Sequence, residues 1–106
     1  MASLLYTFDS YRCVHYSSSP EGRTDVIVCY KGNEIAGHAF FYGNDARLPT
    51  DYIEGGKYIR LHFHQRRFQD IIRTIRVEEP VIIGLNEETG YGAIGTFTEL
   101  VGEEEG

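Results

Sequence analysis

The chain is expected to fold as an α+β domain: a mainly antiparallel, curled sheet or small barrel of about six strands in the order β-β-β-β-α-β-β, carrying one amphipathic helix. Three observations predict this. Runs rich in β-branched and aromatic residues, separated by Gly, Pro and Asn, recur between residues 11 and 64. The apolar period switches once from that of a strand to that of a helix, just after residue 64. Two further β-prone runs follow Pro80. At 106 residues the chain is long enough for one core, and a single domain spanning 1–106 is expected.

The elements follow in order. "YRCVHYSS" (11–18) and "DVIVCYK" (25–31) flank "SPEGRT", whose Pro20 and Gly22 mark a turn, so the two runs read as a hairpin. The second run meets "EIAGHAFFYG" (34–43) across Gly32-Asn33, a pair that tolerates the positive φ of a tight two-residue hairpin. "NDARLPTDYIEGG" (44–56) has no periodicity and reads as a loop. In "KYIRLHFH" (57–64) strict alternation sets Ile59, Leu61 and Phe63 on one face and Tyr58, Arg60, His62 and His64 on the other. Phe68, Ile71, Ile72 and Ile75 then form a stripe at helical spacing, predicting a helix over 65–77 that Glu78-Glu79-Pro80 stops. "VIIGL" (81–85) is apolar on both faces, as a central strand would be, and leads through "NEETG" to "YGAIGTFTEL" (91–100). Residues 102–106 read as a frayed acidic tail.

Composition narrows the setting. No apolar run approaches the roughly 18 residues of a membrane span, and "MASLLYTFDSYR" lacks the basic start and cleavage site of a secretory leader. Cys13 and Cys29 are too few for a disulfide framework and lack zinc-site spacing. A soluble, cytoplasmic protein without a cofactor is expected.

Charge is uneven. The formal net charge is -6, yet residues 57–76 hold six bases against Asp70, whereas residues 77–106 hold eight acids and no base. Such polarity bears on partners and solubility rather than on fold.

Motifs with chemical meaning are sparse. "GYGAIG" (90–95) has the literal G-x-G-x-x-G spacing, but no helix or distant acid follows, so these glycines read as places where a strand bends or a neighbour approaches. His62 and His64 could offer two ligands from one strand face, but no cysteine accompanies them, so no metal site is expected and both read as half-exposed imidazoles beside arginines. If the first hairpin turns about Glu21, Cys13 faces Cys29 and His15 faces Ile27. Ile27 in turn faces His38, so Cys13, Cys29, His15 and His38 would share one face. Nothing places an orienting group or an oxyanion hole beside them, so no catalytic residue is assigned.

The strand-helix junction carries the remaining signal. Arg66 and Arg67 occupy the first turn of the predicted helix, where the dipole disfavours cations, and no Ser, Thr, Asp or Asn stands at 64 or 65 to cap it. Together with Tyr58, Arg60, His62 and His64 they form a basic patch suited to phosphate or carboxylate. The leading expectation is a non-enzymatic binding module that docks an acidic protein surface, or a second copy of itself, through this patch. The element order also resembles an oligonucleotide-binding barrel with one extra leading strand. That resemblance implies the alternative, a single-stranded nucleic-acid binder with arginines on phosphates and Tyr58 or His62 as stacking platforms.

Overall fold

The computed structural model describes residues 3–77 and 80–96. Its elements are β1 (Ser3–Phe8), β2 (Ser10–His15), β3 (Arg23–Lys31), β4 (Glu34–Tyr42), β5 (Tyr52–Glu54), β6 (Tyr58–His64), a 3-10 turn (Gln65–Arg67), α1 (Phe68–Val77), β7 (Val81–Asn86) and β8 (Tyr91–Thr96). The α+β class is as expected, but the strands build two sheets, β2-β3-β4-β6-β5 and β1-β7-β8, and neither closes into a barrel. Pairings are antiparallel except that of β4 with β6, which is parallel. The expected end of the last strand (97–100), the acidic tail and Glu78-Glu79 lie outside the described residues.

Two strands were not foreseen. In β1 the side chains alternate, with Leu4, Tyr6 and Phe8 packing on the core, so the strand covers the large sheet instead of extending it. β5 is a three-residue edge inside the segment read as a loop, where flanking Pro49 and Gly55-Gly56 obscure its pattern. Together β1, β7 and β8 form a second layer packed on the large sheet.

The core lies between the layers. From the large sheet come Ile27, Cys29, Ala39, Phe41, Ile59 and Leu61, from the small sheet Phe8, Ile83 and Leu85, and from the helix Phe68, Ile71 and Ile75. Full burial of each large apolar side chain contributes about 1.5–3 kcal/mol. Ile72, in the middle of the sequence stripe, is only partly buried. The opposite face of the large sheet carries a second cluster of Val26, Val28, Phe40 and Tyr42, covered in part by Ala46 and Leu48 of the segment after β4.

The hairpin registers differ from expectation in two instructive ways. The first turn is centred on Pro20, with the Gly22 amide donating to the Ser19 carbonyl at 3.0 Å. Cys13 therefore faces Ile27, Tyr11 faces Cys29 and His15 faces Asp25. This slip preserves the faces, and both cysteines remain on the core side. In the second hairpin the Gly32-Asn33 turn forms as predicted, with Gly32 at φ 62°, but an irregularity between Cys29 and Tyr30 shifts the pairs from Cys29 to Asp25 by one, until a second irregularity before Arg23. His38 thus faces Val28 and lies on the outer face, away from Cys13, Cys29 and His15, because a one-residue slip reverses every side chain beyond it.

Candidate functional site

The predicted patch divides at the end of β6. On the strand, His62 is not a half-exposed imidazole: its side chain is 3 % exposed. The segment between β4 and β5 folds over it, and Asp51 Oδ1 accepts from both the His62 backbone amide (2.8 Å) and Nδ1 (3.0 Å). The rings of Phe40 and Tyr52 stack against it at 5.8 and 6.2 Å. His64 is also engaged, its Nε2 donating to the Ala46 carbonyl at 2.8 Å. Both histidines therefore anchor the covering segment. Arg60 pairs with Glu54 at 3.2 Å, and its guanidinium lies 5.6 Å from the centre of the Phe40 ring. Tyr58 is half-buried, with Lys57 Nζ 5.3 Å from its ring centre.

Next to this group sits His38, opposite Arg60 on the neighbouring strand. Its ring stacks on Phe40 at 5.3 Å, and both its Nδ1 and the Nε of Arg60 are buried without a hydrogen-bond partner among the described residues. Burial, followed by the nearby Arg60 and Arg23 charges, lowers the His38 pKa to about 4.

The helix half of the patch is different. Arg66 and Arg67 are exposed, and neither pairs with a carboxylate among the described residues. The missing local cap is supplied from a distance: the Arg66 amide donates to Asn44 Oδ1 at 2.8 Å. This satisfies one of the amides that an anion could otherwise use. Asp70 further tempers the first turn of α1, where it pairs loosely with Arg73 at 3.7 Å. Arg67 reaches back over Phe63, 5.9 Å from the ring centre.

A third arrangement escaped the sequence reading. His15 Nδ1 bonds Asp25 Oδ1 across the β2–β3 pair, the imidazole largely exposed and the carboxylate side chain only 7 % exposed. Phe68 packs edge-on against the imidazole at 5.4 Å. An acid in the otherwise apolar "DVIVC" run was the available signal. Cys13 lies on this same face with its thiol pKa raised, first by burial and then by Asp25, so no activated thiolate forms. Among the described residues, no three metal-ligating side chains come together.

Comparison with protein-family models, with curated proteins and with solved structures yields no match to this chain.

Proposed function

We propose that the chain is a non-enzymatic binding module whose Arg66-Arg67 corner docks carboxylates on an acidic protein surface. The observation that carries this reading is the contrast within the patch: Arg60 has its own carboxylate, whereas Arg66 and Arg67 stand exposed without one among the described residues. Asn44 holds the Arg66 amide, and the His64 side chain, at the end of β6, bonds the Ala46 carbonyl. A held backbone lowers the cost of ordering two guanidinium groups, which suit bidentate carboxylate contacts. The binding role of Tyr58, Arg60, His62 and His64 becomes one of support. The free thiols Cys13 and Cys29 suit a reducing, cytoplasmic setting.

One observation favours the nucleic-acid alternative: exposed Tyr52 stacks on His62 beside Arg60, a pairing that could receive a base. Against it, Phe40 and Tyr42, the larger aromatic surface of that face, are buried.

Fluorescence anisotropy with a labelled polyglutamate peptide and with an oligothymidylate separates the readings. Docking of acidic surfaces predicts peptide binding at low salt that weakens about tenfold in Arg66→Ala/Arg67→Ala and falls steeply toward roughly 0.15 M salt. If the acidic partner is a second copy, the double variant shifts a dimer toward monomer in sedimentation, as does deletion of 102–106 if that tail supplies the carboxylates. Unchanged peptide binding in the double variant, or an oligothymidylate complex tighter than about micromolar at physiological salt, overturns the proposal.

A further inference from the structure

Outside the basic corner, the small sheet has an unprotected edge. β1 and β8 are its two border strands, and no described strand pairs with the outer edge of either. The large sheet guards its own edges. β2 carries exposed Arg12 on its border, while β5 is three residues long and its Ile53 amide is taken by Glu87 Oε2 at 2.8 Å. Charge, shortness and capping of free amides are the usual defences against strand addition. β1, "SLLYTF", has none of them: six residues, no charge and no proline.

The outer face beside that edge is equally uncharged, whereas on its inner side Tyr6 borders Lys31, Glu34 and Lys57. The sheet face turned from the core presents Ser3, Leu5 and Thr7 of β1, Ile82, Gly84 and Asn86 of β7, and Tyr91, Ala93 and Gly95 of β8. Leu5 and Tyr91 are 58 % and 81 % exposed, and between them runs a shallow, largely apolar depression of about 420 Å³. On a chain with a formal charge of -6, such a strip is where a second copy can approach without bringing like charges together.

We propose that β1 pairs antiparallel with the β1 of a second copy, joining two three-stranded sheets into one across a two-fold axis. The axis stands perpendicular to the sheet, so facing residues must point to the same side and their numbers must add to an even sum. Leu5 therefore faces the second copy's Ser3, Leu5 or Thr7. The identical strand supplies matching donors and acceptors, and its exposed leucine extends the apolar strip. β8 is the poorer edge because Gly92 and Gly95 interrupt it. A single edge pairing buries less than the roughly 1,200 Å² of standard stable interfaces, so a dimer populated at tens to hundreds of micromolar is expected.

Sedimentation of the full chain over a concentration series tests this, with thermal melts confirming that each variant is folded. Dimerisation should persist at about 0.5 M salt and in Arg66→Ala/Arg67→Ala, which separates it from docking at the arginine corner. Leu5→Lys, and Ser3→Lys as a second variant at an exposed site, should weaken the dimer about tenfold, since like charges then face each other or lie on the shared strip. Amide exchange in β1 should slow with rising concentration. A chain that stays monomeric up to about millimolar, a dimer that folded Leu5→Lys and Ser3→Lys leave intact, or one dissolved by salt, overturns the proposal.

Discussion

Asn44 Oδ1 accepts the backbone amide of Arg66 at 2.8 Å, so the helix is capped by a residue 22 positions earlier in the chain. The interaction ties the turn after β4 to the end of β6, two strands that run parallel and side by side. It also lets basic residues begin the helical segment without all its first amides going unmet. Asn44→Ala should lower stability by about 1 kcal/mol, whereas Asn44→Asp, which keeps the acceptor and adds a charge favoured by the dipole, should stay within about 0.5 kcal/mol of the parent. Urea denaturation distinguishes them; an alanine variant as stable as the parent would remove Asn44 from this role.

Gly37 is one place where the two sheets approach closely. A Cβ at this position would lie 2.8 Å from Ile83 Cδ1 and 2.9 Å from the Ile59 carbonyl oxygen, and the latter belongs to a paired strand that cannot move aside cheaply. Gly37→Ala is therefore predicted to cost about 1–3 kcal/mol through overpacking. Gly95→Ala, where nothing lies within 4 Å of the added atom, should be nearly neutral. Equal melting temperatures for the two variants would contradict this account of the layer contact.

What the sequence made legible was periodic and local. Alternation in "KYIRLHFH" correctly separates Ile59, Leu61 and Phe63 from Tyr58, Arg60, His62 and His64, and Gly32-Asn33 correctly marks a tight turn. Burial on the second face was not legible, because His62 is covered by Asp51 and Tyr52, residues whose own segment has no period. The face of His38 was lost to a single irregularity after Cys29, which no residue type announces. The patch itself looked continuous in sequence, but Glu54 and Asp51 claim its strand half through pairings the primary structure cannot display. Spacing alone puts Ile72 in one stripe with Phe68, Ile71 and Ile75, yet the other three define the buried line.

The His15–Asp25 pair is asymmetric, and that asymmetry yields a prediction. With the imidazole exposed and the carboxylate buried, deleting the histidine leaves a buried acceptor unmet, which should cost about 1–3 kcal/mol. Replacing both groups, as in His15→Ala/Asp25→Val, removes the unmet group and should recover much of that loss. Stability measured across the four members of the cycle reads the coupling directly. Additive losses would mean that Asp25 finds its partner elsewhere.

His38 supplies a dependence on pH whose sign follows from its surroundings. Its pKa in the folded chain is lowered from 6.5 to about 4, first by burial and then by Arg60 and Arg23, with Glu54 opposing. As pH falls below about 6.5, the unfolded chain takes up this proton before the folded one does. The favourable contribution is therefore full above the unfolded value and is lost progressively down to about pH 4. Because the ring is only partly buried, solvent screening reduces the effect to the order of 1 kcal/mol. Other groups titrate in the same window, so the measurement is a comparison: His38→Gln and the parent are unfolded in urea near pH 7.5 and near pH 4.5. The parent should lose more stability on acidification by roughly that amount. Parallel losses in both proteins would place the acid sensitivity elsewhere and show that the stack of His38 on Phe40 leaves the imidazole free to protonate.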